Sequence, residues 1–148
     1  MVEAFDDTRM RVKVGEGGRL PTRAHTGDAA WDLYVSETTL VLPQAYALVP
    51  SGIQIQPPPH IWYQLLGRSS TSNKKGLIVI PAVIDNGYRG LLFANVFNPG
   101  TEPVKIEAGD RVAQIVPFRL HAPNLQMLEV VELDDSERGV GGFGSTGR

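Results

Sequence analysis

The chain has 148 residues, 42% hydrophobic and 20% charged, with a formal net charge of −2. That balance belongs to one globular domain able to bury its own core, and the mild negative charge excludes a global basic field for nucleic acid or anionic membrane. The absence of cysteine excludes disulfide frameworks, thiol catalysis and cysteine-based zinc sites.

The first stretch, Met1 to Met10, is polar and acidic and does not read as a secretory signal. No apolar run approaches the roughly 20 residues that span a bilayer, so a cytoplasmic address is expected. Short apolar or alternating runs then recur between Gly, Pro and Asn. Met10–Val14, Trp31–Val35, Thr39–Leu42, Tyr46–Val49, Ile53–Gln56 and Ile61–Leu66 read as strands, followed by Leu77–Ile80, Leu91–Phe97 and Arg111–Leu120. One short helix is expected at Ser69–Lys75, capped by Ser69 or Ser70. The 16 glycines and 11 prolines suit frequent tight turns. The pattern predicts an all-β, antiparallel sandwich or barrel of jelly-roll type. Residues 1–133 form the β domain. Residues 134–148, acidic and then glycine-rich with one aromatic, form a mobile arm.

Five segments could carry chemistry, and each also has a plain structural reading. Asp28 and Asp32 fall on one face of an alternating early strand, by default a solvated edge. Gly67–Gly76 is a polar loop whose Arg68, Ser69 and Ser70 suit an oxyanion. Ile84–Gly90 reads as a hairpin, with Asn86-Gly87 in a two-residue type I′ turn. That hairpin sets Asp85 beside Tyr88, and a carboxylate there can orient and deprotonate a water, a contribution of roughly 10²–10⁴ in rate. Gly109–Ile115 reads as a turn entering a strand, with Arg111, Ala113 and Ile115 on one face and Gln114 on the other. The tail from Gly139 to Thr146 lacks the lysine and the strand–loop–helix context of a P-loop. Its glycines let the backbone approach a ligand closely around Phe143. His25, His60 and His121 are scattered and show no metal-ligand spacing.

Taken in order, these segments resemble the five motifs of the trimeric dUTPase family. Ala30 to Tyr34 resembles the first, and Arg68-Ser69-Ser70 the second, with Ser70 where glycine is usual. Ile84 to Gly90 resembles the third, Gly109 to Gln114 the fourth, and Arg138 to Thr146 the fifth. The resemblance implies a homotrimer with active sites between subunits, cutting dUTP to dUMP and pyrophosphate with Mg²⁺. It makes Asp85 the residue that orients the attacking water and Tyr88 the floor under the deoxyribose. Backbone around Val83 reads the uracil. Arg68, Ser69, Ser70 and Gln114 hold the phosphates, and Asp32 contacts the metal through water. Phe143 and Gly144 close over the base, and Arg138, Ser145 and Thr146 grip the γ-phosphate. No nucleic acid or membrane partner is implied. Ala82 and Val79 also depart from the family pattern beside the uracil pocket.

Two other readings share the fold. The Gly67 to Ser70 segment also resembles dCTP deaminase, but the proton-shuttling glutamate that enzyme needs falls here at Asn95, beside Ala94, and an amide cannot shuttle a proton. A non-catalytic dUTP-binding regulatory module would be free to lose Asp85 or the arm, and this chain keeps both. The Gln56 to His60 run, with three prolines, reads as a rigid connection between strands.

Overall fold

Short strands that bury every second residue can only be satisfied by sheets facing one another, and the structure is built that way. It is a computed structural model that describes residues 8–144. Among these residues eleven strands and one helix follow in the order β1 (Arg11–Val14), β2 (Trp31–Tyr34), β3 (Thr39–Val41), β4 (Tyr46–Pro50), β5 (Ile53–Gln56), β6 (Ile61–Gly67), α1 (Ser69–Lys75), β7 (Ile78–Val79), β8 (Ala82–Ile84), β9 (Phe93–Phe97), β10 (Val104–Ile106) and β11 (Arg111–Arg119). They make a four-stranded sheet β2-β11-β6-β8, a three-stranded sheet β4-β9-β7, and the pairs β1-β5 and β3-β10. All pairings are antiparallel. This is the expected all-β architecture of jelly-roll type.

The core lies between the sheets. Val41, Ile53, Tyr63, Leu65, Val96 and Ile106 are each at most 1% exposed. Alternation explains β5 and β6: Ile53 and Ile55, then Tyr63 and Leu65, point inward while their neighbours are half-buried or exposed. Among the described residues no helix is long and apolar enough to cross a membrane.

Most expected strands appear within one or two residues of their predicted ends. Two were missed. β8 and β10 span three residues each and directly follow Pro81 and Pro103, prolines that read as turns. The helix has the expected bounds, but its N-cap is Arg68, with no side-chain cap bond, and Ser69 is already helical. Gly76 ends it in the left-handed conformation at φ 66°, its N–H donating to the Ser72 carbonyl at 3.2 Å and the following Leu77 N–H to the Thr71 carbonyl at 3.2 Å.

Three local readings are corrected. Asp28 is not on β2: its carboxylate accepts the His25 N–H at 3.0 Å and closes a turn before the strand begins. The alternation expected at Gly109–Ile115 is broken by a bulge between Arg111 and Ala113. Val112 and Ala113 are both buried and Arg111 is left outside. Finally, Ile84–Gly90 is not a type I′ hairpin. The Tyr88 N–H donates to the Asp85 carbonyl at 3.1 Å, yet neither Asn86 nor Gly87 has a positive φ. The flanking strands also part company, β8 pairing with β6 while β9 joins β4 and β7. The Asn86 side chain is spent on other backbone, which fixes a different turn.

Candidate active site

The segments singled out above gather at two places. The first is the end of the four-stranded sheet where β6 runs into α1. Gln114 on β11 stands opposite Asp32 on β2 and Leu66 on β6. The Asp32 carboxylate is held from both sides, by Arg68 Nε at 2.8 Å and Arg111 Nη1 at 3.3 Å. Arg68 also donates to the Arg111 carbonyl at 2.8 Å, and Gln114 Nε2 donates to the Gly67 carbonyl at 3.1 Å. Thr71, buried in α1, donates to the Val112 carbonyl at 2.6 Å. The bulge therefore has a use: it aims Arg111 at Asp32 and leaves Val112 to anchor the helix.

These ion pairs are partly exposed, so each adds only about 0–1 kcal/mol to stability. Their effect is to fix two guanidinium groups beside Ser69 and Ser70. A polar cleft of about 420 Å³ opens here, lined by Arg68, Ser70, Lys74, Lys75, Asp110 and Arg111. Lys75 pairs with Asp110 at 3.4 Å. Positive charge prevails over negative in the lining, as a polyanion requires.

The second place is the turn after β8. Asp85 and Tyr88 are exposed there. No side chain among the described residues hydrogen-bonds or pairs with the Asp85 carboxylate, which leaves it open to water and ligand. The Tyr88 hydroxyl donates to the Leu91 carbonyl at 2.8 Å, laying the ring along the turn. A Cβ on Gly90 would collide with that ring and hydroxyl, so glycine is what lets Tyr88 lie there. Val83, 63% exposed, sits on β8, an edge strand of its sheet. An edge presents backbone donors and acceptors that can read a base.

The two places do not meet within one chain. Ile84 is opposite Tyr63, so Asp85 lies level with Trp62, whereas Arg68 follows the other end of β6. Six residues of strand separate them, about 20 Å at roughly 3.3 Å per residue. Within the described part of the arm, Arg138 Nε donates to the Gly141 carbonyl at 2.6 Å, a bond inside the arm itself. Phe143 is fully exposed with φ 48°, followed by Gly144 at φ 87°. Ser145 and Thr146 lie outside the described residues.

Among the described residues no three acidic or histidine side chains cluster to hold a metal. Asp32, already shared by two arginines, suits contact with a hydrated cation whose inner ligands come from a polyphosphate. Sequence reasoning missed two participants. Arg111 was placed on the wrong face because a bulge is invisible to alternation. Asn86 was read as a turn-former, whereas its amide is a tether, and a single sequence gives no sign of that.

The dUTPase family model matches residues 16–147. Deoxyuridine 5'-triphosphate nucleotidohydrolase of Clostridium kluyveri is 41% identical over 137 residues, covering 91% of this chain and 94% of that protein. The mouse protein of the same name is 38% identical over 146 residues, covering 98% and 89%. Among solved structures, Staphylococcus bacteriophage 80alpha dUTPase with dUPNHPP superposes with a TM-score of 0.85 at 29% identity, covering 95% of this chain and 99% of that one. A mutant dUTPase from phage phi11 of S. aureus, described with a structural Mg(II) ion, gives a TM-score of 0.75 at 26% identity, covering 84% and 99%.

Proposed function

This chain belongs to the dUTPase family, and we propose that it hydrolyses dUTP to dUMP and pyrophosphate by attack of water on the α-phosphorus. The observation that carries the reading is Asp85, an exposed carboxylate without a side-chain partner among the described residues, set in one turn with Tyr88 and directly after the edge strand β8. A base read by β8 and a deoxyribose over Tyr88 bring the α-phosphate to Asp85. Its carboxylate takes the proton of the attacking water and fixes the line of attack. Phosphoryl chemistry asks little more of a protein than positioning and charge neutralisation. Arg68, Ser69, Ser70 and Gln114 supply these to the phosphate chain, with Arg111 holding Asp32 and Arg68 in place.

Asp32 would hold Mg²⁺ through water, and the bound ion would add to the neutralisation of the triphosphate. Phe143 and Gly144 close over the base while Arg138, Ser145 and Thr146 grip the γ-phosphate, excluding bulk water.

We further propose that the working form is a homotrimer whose sites lie between subunits. Three observations support this. Asp85 and Arg68 sit at opposite ends of β6. Leu125, Met127, Leu128, Val131 and Leu133 are each at least 70% exposed, a run of apolar surface that another copy would cover. And an apolar cavity of about 560 Å³, lined by Met10, Val12, Leu20, Trp31, Ile55 and Ile115, opens on the same domain.

The test is release of pyrophosphate and ammonia from dUTP and dCTP, with and without Mg²⁺. Pyrophosphate from dUTP without ammonia from dCTP is expected. Ammonia from dCTP would select the deaminase reading, and neither product would select the binding module. Within that assay Asp85→Asn should fold and bind nucleotide yet lose nearly all turnover. Near-normal turnover would remove Asp85 from its role.

A further inference from the structure

No side chain among the described residues steers Asp85, so its position depends on the backbone on either side. On one side it follows Ile84, which is fixed opposite Tyr63 in the β6–β8 pairing. On the other side stands Asn86. Its Nδ2 donates to the Pro58 carbonyl at 2.8 Å and to the Ile61 carbonyl at 2.7 Å. Both partners are acceptors, so the amide orientation is fixed and both its hydrogens are used.

The anchor it grips is stiff. Pro57 and Pro58 are buried and locked in φ by their rings. The Ile61 N–H donates back to the Pro58 carbonyl at 3.2 Å, and the Leu120 N–H to the His60 carbonyl at 2.6 Å. Ile61 is also paired with Arg119. The proline run between β5 and β6 thus serves as a post for the turn. From Asn86 the bracing continues along the turn. Arg89 Nη1 donates to the Asn86 carbonyl at 2.6 Å and the Tyr88 carbonyl at 3.2 Å, and Gln54 Nε2 to the Arg89 carbonyl at 2.6 Å.

We infer that Asn86 is a positioning residue for hydrolysis: by clamping the turn to the Pro58–Ile61 loop it sets where the Asp85 carboxylate and the Tyr88 ring stand. This rests on the roles proposed above for Asp85 and Tyr88. A displacement of about 1 Å in a reacting group can cost around 100-fold in rate, and a turn freed at Asn86 has that latitude. Neutral truncation removes the two donors. Asn86→Asp keeps the shape but aims a carboxylate at two carbonyl oxygens.

The experiment measures kcat, KM for dUTP, the dUTP-to-UTP ratio of kcat/KM and thermal midpoint for Asn86→Ala, Asn86→Asp and Asn86→Ser, with Asp85→Asn in parallel. The expected result is a kcat loss of about 10- to 100-fold for Ala and Asp, less for Ser, which keeps one donor. KM should move less than about threefold, and the dUTP-to-UTP ratio should fall with kcat. Should Asn86→Ala not fold, Asn86→Ser carries the same comparison. Unchanged kcat in the folded variants overturns the inference, as does a lowered midpoint with unchanged kcat and ratio. If Asp85→Asn is inactive in that case, only the tether has failed. If Asp85→Asn is active, the base assignment has failed instead.

Discussion

At the scale of single residues, the two carboxylates proposed for the site are held in opposite ways among the described residues. Asp32 is gripped by two arginines, whereas Asp85 is left open. Gly90 and Tyr88 form a similar dependence, because any side chain at 90 drives into the tyrosine ring. Gly90→Ala should therefore displace the ring and lower the preference for dUTP over UTP at least about tenfold, read as the ratio of kcat/KM. An unchanged ratio would show that Tyr88 does not exclude the 2′-hydroxyl.

Beneath the same turn Tyr63 is fully buried, and its hydroxyl has no hydrogen-bond partner among the described residues. Burial first, and then the neighbouring Tyr88, push its pKa up to about 12, against a smaller opposing effect of Arg89. The folded state thus keeps the proton at a pH where the unfolded chain, with an ordinary tyrosine near 10, loses it. This contribution is fully present below pH 10 and is lost as pH rises through about 12. Tyr63→Phe should raise stability by about 1–2 kcal/mol by removing an unsatisfied buried hydroxyl and should flatten the alkaline loss. Denaturant melts at neutral pH and above pH 10 check both.

At the scale of elements, legibility followed the apolar pattern and its punctuation. Strands of four or more residues with inward Val, Ile or Leu could be read from alternation, as β5 and β6 show. β8 and β10, each directly after a proline that reads as a turn, could not, nor could the bulge in β11 that exposes Arg111. The Asn86-Gly87 pair suggested a hairpin from intrinsic turn preference, but contacts to Pro58 and Ile61 decided the turn. The helix was legible from its hydroxyl-rich run, although the cap read at Ser69 or Ser70 falls on Arg68. The same division holds at the site: the residue types were readable, their partners were not, because partners come from strands far apart in sequence.

The arm is the element whose proposed use is least structural. It buries no apolar side chain at Val140 or Phe143, both fully exposed, so removing it costs the fold little. Truncation of Val140–Arg148 should leave a folded assembly with hydrolysis reduced at least about 100-fold. Full activity, or an unfolded chain, would contradict its role as a lid.

At the scale of the whole molecule, one strand decides the geometry. β6 runs into Arg68 at its C-terminal end and stands beside Asp85 near its start, so on the proposed reading a site that uses both takes them from different copies. The most direct test mixes two inactive variants, Arg68→Ala and Asp85→Asn, by co-refolding them in equal amounts. If sites form between subunits, about a quarter of them in randomly mixed trimers receive an intact Arg68 from one copy and an intact Asp85 from another. Recovery of dUTP hydrolysis toward that fraction is the predicted result. Mixed assemblies that form but remain as inactive as either parent would mean that each site lies within a single chain, and the account would be wrong.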